Sequence, residues 1–189
     1  MNMRAIFWVD PGVTTGVAWC TVNVAEATAI DALKARISDG SATIPPLTPG
    51  KTTVSDIGHQ AREIWKLWAK FKRAAVQNAL LEPEWVILGM ENFILTPNPR
   101  HTPGVEGIFP AYVIGAFEGY RQGLYDGHSR NRHITPLILQ PASMGMAFNN
   151  HKHLDACNCW IKGRQHERAA WAHIIAFLKG NMVKVRWRP

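Results

Sequence analysis

Residues 7–19 read Phe-Trp-Val-Asp-Pro-Gly-Val-Thr-Thr-Gly-Val-Ala-Trp, and this stretch constrains the fold more than any other. An apolar run delivers one carboxylate, a Pro-Gly pair reverses the chain, and a second apolar run follows. That is the pattern of two antiparallel strands joined by a turn. Asp10 is the only acid between Met1 and Ala25, and the first strand exposes it at its edge. A lone carboxylate among apolar neighbours is costly unless something positive pairs with it. A divalent cation is the obvious partner; an Asp-Pro-Gly turn with no further role is the other reading.

The rest of the chain extends this opening into layers. Ala5–Asp10 and Gly16–Val24 form the expected hairpin. Residues 25–53 hold Ala-rich and polar pieces, then Ile44-Pro45-Pro46-Leu47-Thr48-Pro49-Gly50, which suits a third short strand and a loop. Ser55 to Leu81 is a helix, with Ile64, Leu67, Trp68, Phe71 and Ala75 at helical spacing, stopped by Glu82-Pro83. Trp85 to Phe93 is an apolar run of the kind buried parallel strands show, and it too carries one acid near its end, Glu91. Residues 96–104 read as a loop. A helix follows from Pro110 to Tyr125, with Pro110 in its first turn, Val113, Ile114, Phe117 and Leu124 on its apolar face, and Gly115 and Gly119 open to close approach. His133 to Gln140 is a strand closed by Pro141, Asn149 to Gln165 a polar basic loop, and His166 to Leu178 the last helix. Strands alternating with helices describe an α/β layered domain, expected over residues 1–180 as a single unit with a basic tail at 181–189.

Hydrophobic residues are 47% and charged residues 19% of 189, an ordinary globular mixture. No apolar run approaches the roughly 20 residues of a membrane span, so no membrane partner is expected, and the N-terminus shows no charged-then-apolar leader. Three cysteines, an odd count, argue against a disulfide framework and for a reducing compartment. The net charge of +7 and pI near 9.6 call for a polyanion partner. Basic residues gather around Lys66, Lys70 and Arg73, around Arg130 and Arg132, around Lys152, Lys162 and Arg164, and in the tail Lys184-Val185-Arg186-Trp187-Arg188. Arg100 follows closely on Glu91. Tryptophans interleave with several of these clusters, as on nucleic-acid surfaces where bases stack. Trp160 and Trp187 are the candidates for stacking, while Trp8, Trp19, Trp65, Trp68 and Trp171 fall at packing positions.

Two-metal nucleases use carboxylates to hold cations about 4 Å apart, and Mg²⁺ takes oxygen ligands. Asp10 and Glu91 fit in type and position if their strands are adjacent. Here the ordered set of motifs resembles the RuvC-type Holliday junction resolvases of the RNase H-like superfamily. Asp10-Pro11-Gly12-x-x-x-Gly16 resembles the opening motif, Met90-Glu91-Asn92 the second acidic strand, and Gln140-Pro141-Ala142 the segment after a later strand. Trp160-x-Lys162-Gly163-x-x-His166-x-Arg168-x-Ala170-x-x-His173 is similar to the loop and last helix of phage and prophage members.

The resemblance implies an RNase H-like mixed sheet with flanking helices and a homodimer matched to a four-way DNA junction. It implies a structure-selective endonuclease using Mg²⁺, with Mn²⁺ as substitute, in the cytoplasm of a bacterial host of a phage. Asp10, Glu91 and His166 become both metal ligands and catalytic residues, and the basic clusters, Arg100 included, neutralise phosphates. One position departs: the family pattern has an acid where this chain has Ala169, three residues past His166. Glu167 points about 100° away from His166 around a helix and cannot replace it without rotation. His173 lies two turns on, expected to pack near the site or meet phosphate. A catalytically silent branched-DNA-binding protein of the same fold therefore stands as the alternative. A sugar kinase of the actin-like fold would want Gly-rich phosphate loops in both halves of a longer chain, and a ribonuclease on RNA–DNA hybrids a fourth acid. His151, His153, Cys157 and Cys159 have ligand types that suit zinc, though the His-x-His and Cys-x-Cys spacings are atypical.

Overall fold

The apolar runs at the N-terminus do form a hairpin. In the computed structural model, which describes residues 2–48, 52–78, 81–82, 85–92, 105–126 and 135–182, β1 (Met3–Asp10) pairs antiparallel with β2 (Thr15–Asn23) from Met3 opposite Asn23 to Asp10 opposite Gly16. A short helix, α1 (Ala29–Lys34), capped by the Thr28 side chain, leads into β3 (Ser38–Ile44), which pairs antiparallel with β2. The long helix α2 (Val54–Asn78) crosses to β4 (Val86–Asn92), which lies parallel to β1. Helix α3 (Val105–Asp126) then leads to β5 (Leu137–Pro141), parallel to β4. Three helices close the described chain: α4 (Ala142–Met146), α5 (His151–Ala156) and α6 (Gln165–Met182). The five strands form one mixed sheet in the order β3-β2-β1-β4-β5.

Alternation along β1 sorts the core into two layers. Met3, Ala5, Phe7 and Val9 face one way, where they meet Ile64, Trp68 and Phe71 of α2 and Phe109, Val113 and Phe117 of α3. Ile6 and Trp8 face the other way and meet α1 and α6 through Leu33, Trp171, Ile174, Ile175 and Phe177. Phe7 anchors the first layer, stacked on Trp19 at 6.0 Å and edge-on to Trp68 at 5.7 Å.

Four expectations are corrected. Helix α1 falls in a stretch read as irregular; at six residues it is too short to show periodicity. Part of the expected basic loop is helix α5, started by the Asn150 side chain accepting from the backbone N–H of His153 at 3.1 Å. Pro110 lies inside α3 rather than in its first turn, because the helix begins at Val105. Helix α6 runs four residues past Leu178, to Met182. The expected loop at 96–104, the start of the strand from His133 and the tail from residue 183 lie outside or largely outside the described residues. Among the described residues no helix is long and apolar enough to cross a membrane.

Candidate active site

Register places the polar residues in one row. Asp10 ends β1 opposite Gly16 of β2, and Gly16 pairs in turn with Thr43 of β3. On the other side Val9 pairs with Met90, so one step along the parallel ladder sets Asp10 beside Glu91. Glu91 itself pairs with Gln140 of β5. Thr43, Gly16, Asp10, Glu91 and Gln140 thus cross the whole sheet in line, and all face α6, because they share a side with Trp8 rather than Val9.

Helix α6 lies over that row and meets each member. Glu167 accepts hydrogen bonds from the Ser41 and Thr43 hydroxyls, the latter at 2.6 Å, and from Arg164 at 2.8 Å. Gly16 lets the first turn of the helix rest on β2, since a Cβ there would run into the His166 carbonyl. His166 Nδ1 lies 3.4 Å from Asp10 Oδ2. One face further along, His173 Nε2 lies 2.9 Å from Glu91 Oε2, and His173 Nδ1 lies 2.7 Å from Gln140 Oε1. Ala169 is three residues past His166 and four before His173, hence on the same helical face between them.

The two carboxylates titrate apart. Burial pushes Asp10 up to about 6; the hydrogen bond from His166 opposes this, while the negative charge of Glu91 and its hydrogen bond add to the rise. Burial also pushes Glu91 up, but the hydrogen bond and charge of His173, with the hydrogen bond from Asp10, outweigh it and leave Glu91 below the ordinary glutamate range. Two acids in contact whose environments drive them in opposite directions are a pattern of functional sites. Below about pH 6 Asp10 holds a proton beside Glu91; above it the two carboxylates carry like charges side by side, an arrangement that a cation would relieve.

Mg²⁺ is commonly held by one or two carboxylates, with water and substrate phosphate completing its shell. Asp10 and Glu91 meet that requirement for one ion. Among the described residues no group of three or more His, Cys, Asp or Glu side chains could hold a metal, and position 169 supplies no further oxygen. The chemistry of the donor set therefore suits one ion better than two.

The other candidates separate. Glu167, the nearest acid in sequence to His166, is turned away and committed to β3. His173 packs under the site, almost fully buried, so it does not meet phosphate. Lys66, Lys70 and Arg73 are exposed on α2, across the sheet from Asp10. Lys152, Lys162 and Arg164 are exposed in α5 and the turn before α6, on the side of the acids, so these six form two basic regions on opposite layers. Arg100, Arg130 and Arg132 lie outside the described residues. Trp160 packs against the Arg168 guanidinium at 4.4 Å and the His151 ring at 4.5 Å. The zinc reading has no geometric support: Cys157 and Cys159 are buried in the core, burial pushes the Cys159 thiol up to about 12, and His153 turns to Asn150 and Phe148.

Sequence reasoning missed the contact of His173 with Glu91. Its signal was there: three strands pass from apolar runs to a polar residue, Asp10, Glu91 and Gln140, and His173 is the lone polar residue in Trp171-Ala172-His173-Ile174-Ile175-Ala176. Comparison with protein-family models finds no match to this chain, and comparison with curated proteins finds none either.

Proposed function

We propose that the chain is a divalent-metal-dependent endonuclease of the RNase H-like, RuvC-like type, acting on branched DNA as a homodimer in a bacterial, phage-infected cell. The observation that carries the reading is the contact of Asp10 with Glu91 on neighbouring parallel strands, with His166 of α6 beside Asp10 Oδ2. The mixed sheet between two helical layers fits the fold the sequence resemblance implies. The basic regions fit a phosphate backbone, which would dominate recognition of a DNA shape rather than a sequence.

In this reading Asp10 and Glu91 would hold one Mg²⁺, and the ion would supply charge stabilisation at a phosphoryl oxygen and a more acidic water. His166, a third exposed beside Asp10, is placed to accept a proton from the attacking water and release it to solvent. Lys162 and Arg164, in the turn that leads into α6, orient the scissile phosphate's neighbours. Trp8, two residues before Asp10 on the same side of β1, is fully buried and stacks on His173, which closes the floor of the site.

The experiment is incubation with a labelled four-way junction, with and without Mg²⁺ or Mn²⁺, beside an Ala169→Asp variant. Paired nicks that need the metal are the expected result, faster with Asp at 169. No preference for branched over linear duplex DNA at low salt would overturn the reading. A second reading, a branched-DNA-binding protein without cleavage, is favoured by Ala169 and by the lack of a three-donor group among the described residues. It predicts tight binding without nicks until Asp stands at 169.

A further inference from the structure

Two titratable side chains of α6 are buried and unused by the proposed chemistry, Glu167 and His173; Glu167 is committed to β3, whereas His173 reaches Glu91. The His173 side chain is 2% exposed, and contacts on several sides fix it. Gln140 Oε1 can only accept, so the 2.7 Å contact with Nδ1 is an N–H donated by the ring. That turns Nε2 to Glu91 Oε2 at 2.9 Å. The ring plane lies 4° from that of Trp8, with centroids 5.9 Å apart. Gly145 of α4 backs onto the imidazole so closely that a Cβ there would overlap Nε2 and Cδ2. A histidine needed only to fill space would not require two polar partners from two strands.

The geometry points to His173 as a positioning residue for Glu91: held by Gln140, Trp8 and Gly145, it engages Oε2, so that a cation shared with Asp10 would be met by Oε1. This rests on the reading of Asp10 and Glu91 as a cation site and deepens it. The chain Gln140–His173–Glu91 has the form of an outer-shell hydrogen bond that orients a metal ligand, whose loss typically weakens metal binding by about 10–100-fold. It also gives α6 a grip on the site one turn beyond Ala169, where the helix carries no acid.

The test measures Mn²⁺ binding by electron paramagnetic resonance, on the full chain without DNA, for wild type, Gln140→Ala, Gln140→Glu and His173→Phe, with folding checked by circular dichroism. Gln140 touches neither carboxylate oxygen in question, so a purely structural role predicts a change in melting temperature alone. The expected result is a Kd raised about 10-fold in Gln140→Ala and in His173→Phe, and returned to within about threefold of wild type in Gln140→Glu, whose carboxylate still accepts from Nδ1–H. Folded variants that bind Mn²⁺ as wild type does would overturn the assignment while leaving the cation site standing. Wild type that binds no Mn²⁺ would overturn both. Should the variants fail to fold, ¹⁵N-histidine spectra of the wild type decide: the Nε2 resonance of His173 moves as Mg²⁺ saturates, and an unmoved resonance would overturn the assignment.

Discussion

The two faces of the sheet are built from the same five strands and do opposite work. The face under α2 and α3 is apolar through its centre: Phe7, Val9, Leu88 and Met90 meet Trp68, Phe71, Phe109 and Phe117, and the buried polar residues of its strands, such as Thr15 and Thr21, carry no charge. The face under α6 is apolar only in its lower rows, Ile6, Ala18 and Trp8. Its last row is Thr43, Gly16, Asp10, Glu91 and Gln140, and α6 answers each with a polar or backbone group. One layer contributes burial, worth about 25 cal/mol per Å². The other gives up some of that burial to hold two acids in contact. The lesson is that strand alternation alone decides which side becomes chemistry: shifting β1 by one residue would send Asp10 into the aromatic layer.

The largest effect should come from breaking the apolar face. Trp68→Ala removes a side chain that is 1% exposed and packs on Phe7 and Phe71. It should cost about 3–5 kcal/mol by denaturant unfolding and leave Mn²⁺ affinity of the folded protein unchanged. A change in affinity would mean that the two faces are coupled.

Asp10→Asn should do the reverse. Folding raises the Asp10 pKa from its ordinary 3.8 to about 6, so the folded state holds the proton more tightly than the unfolded chain. Its contribution is fully present below about pH 4 and is lost as pH rises through about 6. Asn carries no such loss, so the variant should be more stable at pH 8, on the order of 1–3 kcal/mol, while Mn²⁺ binding disappears. Loss of stability in the variant at pH 8 would contradict this account of Asp10.

The same shift sets the pH dependence of cation binding. Proton and metal compete for Asp10, whereas Glu91 is already ionised, so affinity should be flat above about pH 7 and fall about 10-fold by pH 5. Calorimetry at the two pH values checks it. Equal affinities would show that Asp10 is not a ligand. The smallest effect is expected at Glu167→Gln. Burial would raise this acid, but bonds from Ser41, Thr43 and Arg164 hold it below its usual range. Neutralising it should cost about 1 kcal/mol and leave Mn²⁺ binding alone, marking where the site ends along α6.

Much of this was legible in the chain. The hairpin, α2 and β4 follow from long apolar periodicities, and Asp10 and Glu91 stand out as single acids ending apolar strands. Helices α1 and α5 did not stand out, because each has six residues and depends on a side-chain cap, Thr28 or Asn150, rather than on an apolar stripe. The role of His173 was hidden for a different reason. Seven residues on a helix set it about 10 Å from His166, too far to join Asp10, yet the row of acids runs across the sheet and brings Glu91 under it. Whether a helix lies along or across a row of strand ends is a tertiary fact that periodicity does not carry.

The central claim is that Asp10 and Glu91 together hold one cation, and anomalous diffraction from crystals grown with Mn²⁺ tests it most directly. The account predicts a single strong peak within bonding distance of both carboxylates, with Glu91 Oε2 still on His173. A saturated crystal with no peak there, and Asp10 still hydrogen-bonded to Glu91, would contradict it.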